Sequence, residues 1–461
     1  MPSSATLSSK VAWLRHPGSI MRSFTVFLLM ACSVVESFSP NNVGAQNGEY
    51  RTSIRHRCHI LPPTSPRNLE RNGIFAATVT NDVSSEPWNA NAQPLWLDKG
   101  LLLSSFTDGL RSNRDSQDWL CNALVERLWK DFQQQSERGL QDSNTFSPCN
   151  GPDPDMWQQL EDIDLQIEEL YSKYEGNYNS SSWRRSLEML RLQQRQQNQE
   201  NNAVIELRLL YIPTALYALR KDSTNSPGKQ RQRARADGKQ RRNEIVAMLQ
   251  DNLDGVAISS VTLDFDDGSV KQAECTIQHD TLNFPTTGKE AINDWKPHLI
   301  YVQGGNTFWL YHCMEKGDWG KDLVAACCIS GDATTSSGAV YCGVSAGAIV
   351  VGNSMQTVCW KEWDDPSVAP GRESYDDWKD VRGLGLAGSF SFFPHMEDQW
   401  RSMIDGRLRE LPLANQSRND GDTAPLLCCI SDEQVCFVDG QTRSVQSTGI
   451  LLSSLQQASA L

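Results

Sequence analysis

Ser345 stands in the run Gly343-Val344-Ser345-Ala346-Gly347-Ala348, directly after the apolar stretch Ala339 to Cys342 and directly before the helical run Ala348 to Val351. A strand, a tight turn and a helix are the context that a GxSxG nucleophile elbow needs: the turn lifts the serine hydroxyl out at the mouth of a sheet. The flanking glycines let the backbone turn sharply, and the helix that follows presents its first amides to a developing oxyanion. A glycine-rich turn that merely contains a serine is the alternative.

Two further blocks have the composition to complete such a site. Tyr301-Val302-Gln303-Gly304-Gly305-Asn306-Thr307 is a strand, a double glycine and a helical continuation. Paired glycines at a strand end leave backbone N–H groups unobstructed, as an oxyanion hole requires. Phe392-Phe393-Pro394-His395 follows the strand-like stretch Leu384 to Phe390, and His395 alone among the seven histidines lies after Ser345. Paired with a serine on an elbow, it is the default general base.

The elements that must position these blocks alternate along the chain. Strand-like runs fall at Leu101 to Phe106, Leu209 to Tyr217, Ala257 to Leu263, His298 to Val302 and Gly338 to Cys342. Helical patterns separate them, among them Asp118 to Phe132 and the basic stretch Lys229 to Arg242 running into Ile245 to Leu249. Apolar strands separated by helices predict an α/β fold with a mainly parallel sheet covered on both faces, and ligands then bind beyond the carboxyl ends of the strands.

GGNTF, GVSAGA and FFPH, in that order and rough spacing, resemble the signature blocks of the dipeptidase E (aspartyl dipeptidase) family and its cyanophycinase relatives, over about residues 97 to 445 apart from an insertion. The resemblance implies a three-layer sandwich like that of class I glutamine amidotransferases, with serine where those enzymes carry cysteine. It also implies Ser345 as nucleophile, His395 as the histidine of a Ser-His-acid triad, and Gly305 and Ala346 as oxyanion amides. Gly304, Asn306 and Arg401 become the candidates for substrate contact, with Arg407 in the same zone as Arg401.

The acidic partner stays open between two regions. Lys361-Glu362-Trp363-Asp364-Asp365-Pro366 offers Asp365, favoured narrowly over Asp364, and Ile430-Ser431-Asp432-Glu433-Gln434 offers Glu433. Either carboxylate could orient an imidazole, since the role asks only for an acceptor to the ring nitrogen remote from serine.

The expected activity is a serine-type peptidase acting on small peptides through an acyl-enzyme, with aspartyl dipeptides as candidate substrates and no metal or cofactor. One rival is an α/β-hydrolase esterase, but the short Ser345-to-Asp365 spacing leaves no room for that fold's intervening elements. Another is a non-catalytic anion- or peptide-binding protein on the same fold, against which His395 argues.

A formal net charge of −13 speaks against a general nucleic-acid partner and fits a self-repelling monomer or homodimer. The basic stretch 229–242 lacks interleaved aromatics and reads as a solvated helix face. The 13 cysteines show no paired CxxC spacing and sit mostly in apolar runs, as buried small hydrophobes do.

The N-terminus carries Lys10, Arg15 and Arg22 before an apolar run from Phe24 to Val35, the pattern of a cleaved signal over residues 1–40. That run is too short to span a bilayer. Ser37-Phe38-Ser39-Pro40 resembles the junction of bipartite plastid-targeting sequences, so plastid and secretory routes are both expected candidates. Residues 41–95 read as a low-complexity leader, 96–461 as the peptidase domain, and 133–203 as a polar insertion lying on the surface or partly disordered.

Overall fold

The computed structural model describes residues 95–142, 182–197, 205–272, 284–328, 338–408 and 426–453. The signal and leader segments, and part of the polar insertion, lie outside the described residues. Among the described residues no helix is long and apolar enough to cross a membrane.

Eleven strands are described: β1 (Lys99–Leu103), β2 (Ile205–Ile212), β3 (Val256–Leu263), β4 (Val270–Gln272), β5 (Leu299–Val302), β6 (Val340–Val344), β7 (Phe390–Pro394), β8 (Leu426–Ile430), β9 (Val435–Asp439), β10 (Ser444–Ser447) and β11 (Ile450–Ser453). The helices are α1 (Arg114–Asp142), α2 (Ser182–Gln197), α3 (Pro227–Asn252), α4 (Gly288–Asn293), α5 (Thr307–Lys316), α6 (Trp319–Cys327), α7 (Ala346–Ile349), α8 (Thr357–Lys361) and α9 (Arg401–Arg407).

Eight strands form one sheet in the order β10-β9-β1-β6-β5-β2-β3-β4. Its central five, β1, β6, β5, β2 and β3, run parallel, while β9 and β4 pair antiparallel at either side. Successive strand residues point to opposite faces, and here both faces are apolar. Leu102, Leu210, Ile300 and Tyr341 pack under α5 and α6, through Phe308, Leu310, Met314 and Leu323. Leu101, Leu209, Tyr301 and Cys342 pack under α1, α2 and α3, through Leu124, Leu190 and Leu249. The result is the mainly parallel, helix-covered α/β sheet that the alternation of apolar runs predicts.

Three expectations change. The strand expected from Leu209 to Tyr217 runs over Ile205–Ile212 instead, since Pro213 cannot donate to the ladder and the chain turns into a 3-10 helix at Thr214–Tyr217. The strand expected from Leu384 to Phe390 begins only at Phe390, since Gly385 and Gly388 adopt positive φ and break extended pairing before it. Within the polar insertion, α2 is not merely superficial: Trp183, Leu187 and Leu190 are buried against α1, because its few apolar residues fall on one helical face. Of the nine described cysteines, all free, every one except the half-buried Cys328 is buried.

A second, three-stranded sheet, β11-β8-β7, matters more for the site. β7 and β8 run parallel, with Pro394 opposite Ile430. The residues just past those ends, His395 and the Ser431-Asp432 turn, therefore emerge side by side.

Candidate active site

Ser345 follows β6 and opens α7 with φ 49° and ψ −103°. A side-chain-bearing residue is rarely tolerated there, and such strain collects at functional sites. It is fixed from several directions. The Ser345 amide donates to the Leu103 carbonyl of β1, and Tyr341 Oη donates to the Gly347 carbonyl across the turn. Gly347 has no room for a side chain, since a Cβ would lie 2.5 Å from the Val302 carbonyl oxygen.

The double glycine lies against this turn. A Cβ on Gly304 would sit 2.9 Å from the Ser345 Cβ, and one on Gly305, at φ 151°, would meet the Ala215 carbonyl oxygen at 2.4 Å. Only glycine fits either position. Ala346 is the first residue of α7, so its N–H has no partner within the helix.

His395 also has a positive φ, 54°. Its Nε2 lies 3.0 Å from Ser345 Oγ and its Nδ1 2.5 Å from Asp432 Oδ1. With the carboxylate accepting from Nδ1–H, the Nε2 lone pair is free to accept the serine proton, which is the tautomer proton abstraction requires. The backbone around the imidazole is held as well. The His395 amide donates to Ser104 Oγ at 2.7 Å, and that hydroxyl donates to the Ile430 carbonyl at the end of β8. Lys361 Nζ donates to the Pro394 and His395 carbonyls at 2.7 and 2.5 Å.

The structure brings together Ser345 and His395, with Gly304 and Gly305, around a cavity of about 400 Å³ that Asp432, Lys361, Trp363, Asp364, Arg241 and Gln303 also line. That volume suits a small-molecule or short-peptide ligand.

The other sequence candidates have different tasks. Asp365 caps a 3-10 turn, accepting from the Ser367 amide and hydroxyl at 2.9 and 2.8 Å. Its neighbour Asp364 accepts the Thr307 amide at 2.8 Å, and burial pushes its carboxyl up, against the lowering effect of that bond. Asn306 caps α5 by accepting from the Trp309 amide, and its amide nitrogen donates to the Asp365 carbonyl. Arg401 begins α9 with an exposed side chain and does not line the cavity. Glu433 faces a separate surface hollow with Asp108, Ser112 and Arg114.

Asp432, one residue earlier than Glu433, is thus the carboxylate at His395. The Gln434 amide donates to the Ser431 carbonyl, and Gln434 Oε1 accepts from the Ser431 amide, closing a four-residue turn. Two central turn residues point in different directions, and no spacing rule in one sequence says which of two adjacent acids faces inward. Ser104 and Lys361 carried no sequence signal either, because each acts on backbone carbonyls or amides brought near only by the fold.

A hydroxyl on a strained strand-to-helix turn, an imidazole at hydrogen-bond distance and a carboxylate behind it are the apparatus of a serine hydrolase. Residues 266–445 match the model of peptidase family S51. That stretch contains Ser345, His395, Asp432 and both glycines, while Ser104 lies upstream of it. No curated protein matches the chain. Among solved structures it is similar to a Listeria monocytogenes EGD-e protein provisionally assigned as a peptidase E, at 17% identity, over 55% of this chain and 91% of that one, with a TM-score of 0.30.

Proposed function

We propose that the protein hydrolyses small peptides through a Ser345-His395-Asp432 triad, and the observation that carries this reading is the imidazole bridging a serine hydroxyl at 3.0 Å and a carboxylate at 2.5 Å. Ser345 Oγ attacks the scissile carbonyl while His395 Nε2 takes its proton. Asp432 keeps Nδ1 protonated and stabilises the imidazolium. The oxyanion is received by the amides of Gly305 and Ala346. His395 then hands its proton to the departing amine, leaving an acyl ester on Ser345. A water molecule, deprotonated by the same imidazole, hydrolyses that ester and restores the serine.

Aspartyl specificity is proposed in altered form. An anionic substrate side chain needs a cation, and the arginine on the cavity wall is Arg241 of α3, not Arg401. The basic stretch on α3 is thus a solvated face over most of its length, with one member turned to the cavity.

The test is hydrolysis of aspartyl dipeptides, neutral dipeptides and simple esters by the wild type, S345A and R241A. The reading predicts no turnover by S345A, and a raised KM for aspartyl substrates alone in R241A. Peptidase activity surviving in S345A would refute it.

A further inference from the structure

Lys361 is the unusual cation of this site. A lysine at the end of a short helix ordinarily extends its ammonium into water. Here the side chain turns inward, with Nζ 4.2 Å from the ring centroid of Trp363, 4.3 Å from that of Phe393 and 5.4 Å from that of Trp400. Its two hydrogen bonds go to the carbonyls on either side of a single residue, His395.

In extended backbone two successive carbonyls point in opposite directions, and one ammonium cannot reach both. Here, with His395 at a positive φ of 54°, both carbonyls lie within hydrogen-bond reach of the one ammonium. The bidentate grip of Lys361 therefore favours the conformation that His395 holds.

We propose that Lys361 is a positioning residue, whose ammonium locks the left-handed turn at His395 and so aims the imidazole at Ser345. This inference rests on the catalytic reading of Ser345 and His395 given above. The ammonium is faced by Glu397 from the turn after His395, by Asp432 from the β8–β9 turn and by the Cys429 thiol of β8. Burial lowers its pKa to about 8, with Glu397 and Asp432 acting in the opposite sense. The charge that strengthens both bonds is accordingly lost as pH rises through about 8. An arginine in its place would stay charged at every working pH.

The experiment compares kcat, KM and the pH profile of kcat for the wild type, K361R, K361M and S345A on a substrate that the wild type cleaves. Positioning predicts that K361M loses about 100-fold in kcat with KM little changed, the scale of an ångström-sized misplacement. K361R should recover a large part of that loss. The wild-type rate should fall above about pH 8, and K361R should lack that fall.

A K361M variant with normal kcat and raised KM would mean that Lys361 binds substrate instead, which overturns the inference. So would a K361R profile with the wild-type alkaline limb, a result readable even if K361M does not fold. Activity surviving in S345A would fail the catalytic reading itself, a separate outcome from a Lys361 result in an enzyme that S345A silences.

Discussion

Among the described residues two imidazole–carboxylate pairs stand beyond opposite ends of the main sheet. At the carboxyl ends, His395 Nδ1 lies against Asp432 Oδ1. At the amino end of β5, His298 Nε2 donates to Asp131 Oδ2 of α1 at 2.8 Å, and its Nδ1 accepts the Arg208 amide of β2. The pairs differ in what surrounds them. The His298 side chain is 2% exposed, its second nitrogen is occupied by backbone, and Arg208 and Arg127 both pair with Asp131. The His395 side chain is 28% exposed, and its second nitrogen faces a hydroxyl across an open cavity.

The same two side chains thus make a brace in one place and, on the proposed function, a proton relay in the other. Burial lowers the His298 pKa to about 4, so the ring is neutral at ordinary pH. Burial also pushes the Asp131 carboxyl upward, but the hydrogen bond from His298 and the charge and hydrogen bond of Arg127 outweigh this and hold it below the usual carboxylate range. The group ties α1 to β2 and β5. A base, by contrast, needs an unoccupied lone pair, a proton donor within reach and access to substrate.

Four measurements test this contrast, beginning with the substitution that should cost most. S345A should lose on the order of 10⁶ in kcat with its melting transition intact, since removing the nucleophile disables the whole relay. D432N should lose about 10⁴ in kcat, through the wrong imidazole tautomer. D365N and E433Q, which leave His395 untouched, should keep wild-type rates when assayed alongside.

At the other pair the effect should move from rate to stability. D131N strips a buried network of its charge partner and should cost about 3–5 kcal/mol in urea unfolding, while kcat per folded molecule is unchanged. A large kcat loss in folded D131N would end the distinction.

Acid should act through His298 as well. The unfolded chain takes up a proton near the ordinary pKa of 6.5, whereas the folded protein resists until about 4. Stability is therefore full above 6.5 and falls as pH drops from 6.5 toward 4, by on the order of 3 kcal/mol. The slope over that window, followed by melting at stepped pH, should flatten in H298N.

What the sequence discloses and what it hides divide along the same line. Ser345 and the two glycines are legible because turn chemistry is local: a strand, a positive-φ turn and a helix leave their marks within a few residues. His395 is legible by elimination, as the sole histidine after Ser345. The carboxylate is not, because its placement depends on β7 and β8 pairing with Pro394 opposite Ile430 and on a turn that directs Asp432 rather than Glu433 inward. Ser104 and Lys361 grip backbone atoms hundreds or tens of residues away. The five central strands of the main sheet are legible as apolar runs buried on both faces, and the helical spacing of α2 is legible too, whereas its burial against α1 is obscured by its glutamine-rich surroundings.

The central claim is that His395, and not His298, activates Ser345. Its most direct test is the rate at which a serine-directed organophosphonate modifies Ser345, located by mass spectrometry, in the wild type, H395N and H298N. The account predicts rapid labelling of Ser345 in the wild type, labelling slowed by at least about 10³-fold in H395N, and a wild-type rate in the folded fraction of H298N. Equal labelling of Ser345 in H395N and the wild type, or modification confined to another serine, would contradict it.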